Sequence, residues 1–292
     1  MIYGLAESIT KAASIQTYYT FRFLADRQRV ADAYRAYAYF RWVDDRIDQG
    51  GLEKSDQAVF IDRQKWILDS CYRGRQPDHL AAEEQMLADL ILADQGVNSG
   101  LQSYIRNMMA VIDFDARRRG RLISQLELSW YSRSLAIAVT EALLYFIGHD
   151  QPSPPNSARY LAATGAHITH MLRDTLEDVQ AGYFNIPREY LAAKGIGPQD
   201  MDSDPYRAWV QERANLARAC FISGKEYLAQ DENLRRRIAG YAYIARFEVV
   251  LDVIEKMGYR LAPEYPQAGG LGTGMRLSGS VLSLAFFNPI WK

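Results

Sequence analysis

Apolar residues recur three and four apart along most of this chain, and that period predicts helix almost everywhere. Ala25 to Asp48 carries alanine, tyrosine and phenylalanine at this spacing with no glycine or proline, as a packed amphipathic helix requires. Ala81 to Leu92, Leu126 to Ile147, Ser157 to Gln180, Pro205 to Leu228 and Asn233 to Met257 repeat the pattern. Leu126 to Ile147 is apolar on most sides, which places it centrally. Breaks are expected at Gln49-Gly50-Gly51, Arg73 to Pro77, Gly148 to Pro155 and Gly195 to Pro205, where turn-forming residues gather. No alternating strand pattern of useful length interrupts them. The reading is all-α: one helical bundle domain over 1–262 with a central cavity, and a tail over 263–292 that is no separate domain.

Composition narrows the function classes. Of 292 residues 48% are hydrophobic, enough for a substantial core, and the net charge of -1 gives no reason to expect nucleic acid. Arg117 to Arg119 with Arg121 form a short basic cluster, read as a solvated helix face. Cys71 and Cys220 are the two cysteines, which fits a reduced compartment and no disulfide framework. Glu7 and Lys11 break the apolar start, so no signal peptide is expected, and no apolar run reaches the roughly 20 residues of a membrane span. The expected location is the cytoplasm. The tail turns glycine- and proline-rich from Pro263 to Gly274 and apolar from Ser280, expected to strap the helices, with peripheral membrane contact as the alternative.

One polar feature stands against this apolar background. Arg41-Trp42-Val43-Asp44-Asp45-Arg46-Ile47-Asp48 and Arg173-Asp174-Thr175-Leu176-Glu177-Asp178 each place two carboxylates four residues apart, one helical turn above each other. Such like charges repel by a few tenths of a kcal/mol, roughly, and need a counter-charge. Tyr37, Arg41, Asp44 or Asp45, and Asp48 share one helix face; His167, His170, Asp174 and Asp178 share another. Inward-facing carboxylates in an apolar bundle are costly unless paired or coordinated. Neighbouring arginines could balance them, and so could a divalent cation. Oxygen donors with few thiols favour a hard ion such as Mg2+, which binds through one or two carboxylates together with substrate phosphates. Metals and arginines would then neutralise a departing diphosphate while aromatic faces, Trp42 and Trp130 among them, shield a carbocation.

These residues carry a resemblance. Over roughly 14 to 262 the chain is similar to the squalene/phytoene synthase family, a branch of the all-helical isoprenoid synthases. Thr17-Tyr18-Tyr19 resembles a Ser-Phe-Tyr element, Tyr37 to Asp48 the first aspartate-rich motif, Leu172 to Asp178 the second, and Phe247 to Tyr259 the last core helix. The resemblance implies a transferase of prenyl groups that joins two isoprenoid diphosphates, farnesyl or geranylgeranyl, head to head into a C30 or C40 product. In that reading Asp44, Asp48, Asp174 and Asp178 hold metal-bound diphosphate with Arg41 and Arg173 in support. NADPH enters only if the product is reduced. Tyr18, Tyr37, Asp45, Tyr131, Ile137, Thr140, His167, His170 and Phe247 are then expected to face substrate.

Several positions depart from the family's pattern. His167 and His170 stand where glutamine and asparagine are usual, and Gly182-Tyr183-Phe184-Asn185-Ile186-Pro187 lacks the usual arginine and tyrosine of Gly-Arg-x-Tyr-Leu-Pro. Gln16 replaces a basic residue, and Phe247 a tyrosine. In the central helix, Ile137 and Thr140 occupy two usual glycines and would narrow the cavity at adjacent points. Two other readings therefore stay open: a class I enzyme ionising a single isoprenoid diphosphate, and a non-catalytic assembly scaffold.

Overall fold

A computed structural model describes residues 2–48, 54–94, 96, 99–263 and 265. The side chain of Asp48, the expected break at Gln49-Gly50-Gly51 and the tail from Pro266 onward lie outside the described parts. Among the described residues the chain is helical, with no strand and one isolated bridge between Leu122 and Phe184. The helices are α1 (Ile2–Ala13), α2 (Ile15–Leu24), α3 (Val30–Asp48), α4 (Lys54–Tyr72), α5 (Ala82–Ala93), α6 (Gly100–Arg118), α7 (Gln125–Phe146), α8 (Leu161–Ala181), α9 (Arg188–Lys194), α10 (Asp204–Gln230) and α11 (Leu234–Lys256).

Local chemistry explains where these helices begin. The hydroxyls of Ser14 and Ser203 accept from the backbone N–H groups of Thr17 and Tyr206, and Asn233 accepts from that of Arg236. The expected helix at 25–48 divides because Arg27–Arg29 form a 3-10 turn ahead of α3, and Ser157–Tyr160 do the same ahead of α8. Pro205, expected to close a loop, sits in the first turn of α10, where its missing N–H leaves no bond unmade.

The chain forms two compact units: residues 1–117 with 141–151, and residues 118–140 with 152–292. In the first, α3 packs on α1, α2 and α5, and α4 packs on α5. Its alanines Ala33, Ala36 and Ala38 are buried, and Ala38 clusters with Ala6, Tyr18, Tyr34 and Met86. In the second, α8, α10 and α11 pack on one another. α8 and α10 meet through glycines. A Cβ on Gly224 would lie 2.9 Å from the backbone nitrogen of Ala162, and one on Gly165 would lie 2.8 Å from the Phe221 ring. Cys71 and Cys220 are buried free thiols, one in each unit. Among the described residues no helix is long and apolar enough to cross a membrane.

Candidate functional site

The first acidic motif ends α3. Arg41 serves two carboxylates there: it lies 3.3 Å from Asp44 and hydrogen-bonds Asp45. The Asp45 hydrogen bond pushes the Arg41 guanidinium further up from its ordinary value. All three side chains are open to solvent, Arg41 40%, Asp44 48% and Asp45 38% exposed, so the cluster is a hydrated one. Asp48 belongs to the same helix. Tyr37 is half-buried one turn earlier, its ring edge-on to Phe21.

Tyr18 takes a more structural position than the sequence suggests. It is buried, stacks on Tyr34 at 5.5 Å and donates its hydroxyl to Glu7 at 3.0 Å. Trp42 packs edge-on against Phe60. Trp130 is exposed.

The second acidic motif lies in the last two turns of α8 and is balanced differently. Arg173 donates Nε to one oxygen of Asp174 at 2.5 Å and Nη2 to the other at 2.9 Å; His170 Nε2 lies 3.0 Å from the second. Burial pushes the Asp174 carboxyl up, but hydrogen bonds from His170 and Arg173 outweigh it and hold it well below the usual carboxylate range. Asp178 accepts from Asn185 Nδ2 at 2.7 Å. His170 also meets the buried ring of Phe247 edge-on.

The polar stripe expected on this helix runs into the core at its first member. His167 is 5% exposed and packs edge-on against Tyr131 at 4.9 Å. Both of its ring nitrogens are buried without a hydrogen-bond partner among the described residues. Burial, then the nearby His170, Arg213 and Arg118, push the imidazole down to about 3, so it is neutral in ordinary buffers. Arg213 is itself pushed down by burial and lies over the Trp209 ring.

Ile137 and Thr140 lie on α7, both half-buried, and the Thr140 hydroxyl reaches the Arg159 carbonyl at 3.5 Å. A small cavity is lined by Thr175 of α8, Tyr206 and Arg213 of α10, and Asn185.

Arg118 departs most from expectation. Placed by sequence on a solvated face, it is 4% exposed, its guanidinium 5.0 Å from the Tyr131 ring centre and 5.2 Å from that of Tyr183. Its Nη1 donates to Asn185 Oδ1 at 2.9 Å. The missing arginine and tyrosine in Gly182 to Pro187 were the available signal, since a charge lost beside a carboxylate invites one from elsewhere.

A hard cation suits this donor set. The motif side chains are carboxylates, and Asp174 is held ionised. Among the described residues no three metal-capable side chains already converge, and Asp174 has Arg173 as its counter-charge and His170 Nε2 within 3.0 Å.

Residues 10–270 match the family model described as squalene/phytoene synthase. The chain is similar to the presqualene diphosphate synthase of Zymomonas mobilis, 26% identical over 245 residues that cover 82% of this chain and 78% of that one. It is also similar to a 15-cis-phytoene synthase of Synechococcus elongatus, 29% identical over 116 residues, covering 38% and 37%. Among solved structures, a squalene synthase (HpnC) from Alicyclobacillus acidocaldarius superposes with a TM-score of 0.70 at 16% identity, over 89% of this chain and 95% of that one. A dehydrosqualene synthase does so with a TM-score of 0.71 at 18% identity, over 97% and 95%. These structural likenesses establish a helical fold of the squalene synthase type.

Proposed function

Because the chain belongs to the squalene/phytoene synthase family, a family of prenyl transferases, we propose that it joins two isoprenoid diphosphates head to head in a magnesium-dependent reaction. The observation that carries this reading is the pair of acidic motifs inside the matched span, with Arg41 beside Asp44 in the first and Arg173 beside Asp174 in the second. Asp44, Asp48, Asp174 and Asp178 would hold the magnesium, which when bound neutralises charge on the departing diphosphate. Arg41 and Arg173 lie against motif carboxylates and would turn toward phosphate oxygens as substrate arrives. His170, hydrogen-bonded to Asp174 and half-exposed, is the histidine able to share that role. His167, buried and neutral against Tyr131, would add no charge of its own beside the diphosphate.

The substrate class is farnesyl or geranylgeranyl diphosphate, and NADPH has a part only if the product is reduced. Similarity to a presqualene diphosphate synthase supports a first step that retains one diphosphate on a cyclopropyl product. The bulk of Ile137 and Thr140 favours the second reading, ionisation of one isoprenoid diphosphate.

Product analysis separates the two. Purified protein is incubated with Mg2+ and each diphosphate, with and without NADPH, and products are extracted before and after phosphatase treatment. A C30 or C40 hydrocarbon, or a cyclopropyl diphosphate of the same carbon count, is expected. Only C15 or C20 alcohols or cyclic products would overturn the head-to-head reading.

A further inference from the structure

Asp178 is held by a chain of contacts that begins on another element. Arg118, the last residue of α6, is buried with its guanidinium against the rings of Tyr131 and Tyr183. It donates to Asn185 Oδ1 at 2.9 Å, and Asn185 Nδ2 donates to Asp178 Oδ2 at 2.7 Å. The chemistry fixes the orientation of this amide. A guanidinium only donates and a carboxylate only accepts, so the oxygen of Asn185 must face Arg118 and its nitrogen Asp178.

The backbone around the relay is pinned as well. Gly182 ends α8 in the left-handed region (φ 87), which turns the chain back beside residues 119–123. Gly120 N–H donates to the Gly182 carbonyl at 2.7 Å, Arg119 Nε to the Ala181 carbonyl at 3.0 Å, and Arg188 N–H to the Ile123 carbonyl at 2.9 Å. Leu122 and Phe184 form a parallel bridge between these contacts. Asn185 is thus carried on a segment tied at both ends to the segment that carries Arg118.

We infer that Arg118 and Asn185 are positioning residues for Asp178. They transmit the pull of a buried guanidinium through one amide and fix the direction in which the carboxylate presents its oxygens. The relay supplies from α6 the positive charge that Tyr183 and Asn185 do not provide within Gly182 to Pro187. It rests on the proposal that Asp178 serves a magnesium-bound diphosphate, and the experiment keeps the two ideas apart.

Mn2+ binding is titrated by electron paramagnetic resonance with inorganic diphosphate present, alongside initial rates against Mg2+ concentration and a thermal unfolding curve. In Asn185→Ala the Mn2+ concentration for half-saturation rises about 10-fold, as loss of a hydrogen bond behind a metal ligand does elsewhere. The Mg2+ concentration for half-maximal rate rises in parallel, while KM for the prenyl diphosphate at saturating Mg2+ stays put. Arg118→Lys keeps the charge without the planar fork and shifts both metal titrations in the same direction. Should the alanine variant not fold, Asn185→Ser removes the same bridge. Folded Asn185→Ala or Asn185→Ser protein with unchanged half-saturation overturns the relay and leaves the proposed reaction standing. Wild-type protein that binds no Mn2+ with diphosphate overturns the reaction, and the relay with it.

Discussion

Asp44 and Asp174 occupy the same place in two copies of one spacing, yet their surroundings oppose each other. Asp44 is nearly half exposed and shares Arg41 with Asp45, so water supplies much of its stabilisation. Asp174 is 28% exposed and takes both ends of the Arg173 fork as well as His170. Equal sequence spacing therefore does not imply equal energetics. The first motif can exchange its counter-charge at little cost, whereas the second gives up directional bonds before accepting another partner.

The comparison breaks most visibly in catalysis, where the two motifs are proposed to act equally. Asp44→Asn and Asp174→Asn should each slow diphosphate release about 10^3-fold, the scale of losing one main electrostatic contact to a departing group. Release is measured with a coupled phosphate assay, and full activity in either variant would make that carboxylate structural.

The next effect reads the buried end of the second motif's helix. His167 lies near 3 in the fold against an ordinary 6.5, so between those values the unfolded chain binds a proton that the folded chain does not. Its contribution therefore favours unfolding progressively as pH falls from 6.5 toward 3, reaching about 2 kcal/mol between pH 7 and pH 5. Urea titrations of wild type and His167→Gln at both pH values measure it. Equal pH dependence in the two proteins would place the imidazole in water.

Smaller still is the stability difference between the two aspartates. Asp174→Asn should cost about 1–2 kcal/mol by leaving Arg173 and His170 short of a charged acceptor. Asp44→Asn should stay within about 0.5 kcal/mol because Arg41 keeps Asp45. Urea midpoints at pH 7 test the order, and equal costs would erase the distinction. Arg41→Lys is expected to give the least change, under about 0.5 kcal/mol, and 1 M salt should remove it.

Periodicity foretold the helices of the second unit closely because their apolar faces are regular. Pro205 to Leu228 became Asp204–Gln230, and Asn233 to Met257 became Leu234–Lys256. It was silent on α2 because large apolar residues stand on both sides of that helix, Tyr18 buried and Ile15, Tyr19 and Phe23 exposed, which leaves no contrast between faces. The motif carboxylates were visible in sequence because their spacing is local. Arg118 was not, since nothing near it in the chain announces that Tyr131 and Tyr183 will enclose it. His167 looked like a fourth member of a polar stripe for a related reason. A helical wheel assigns a face, but only the packing of Tyr131 shows that this part of the face is buried.

The close approach of α8 and α10 at Gly165 and Gly224 also shapes how this sequence can change over time. With backbone and ring atoms already under 3 Å from where a Cβ would stand, neither glycine can acquire a side chain while its neighbours keep their places. A lineage that alters Gly224 must first or simultaneously shift the helix at Ala162, and that helix also carries Asp174 and Asp178. Two positions far from the acidic motif thus inherit its constraints, and substitutions there should be found in matched sets or not at all.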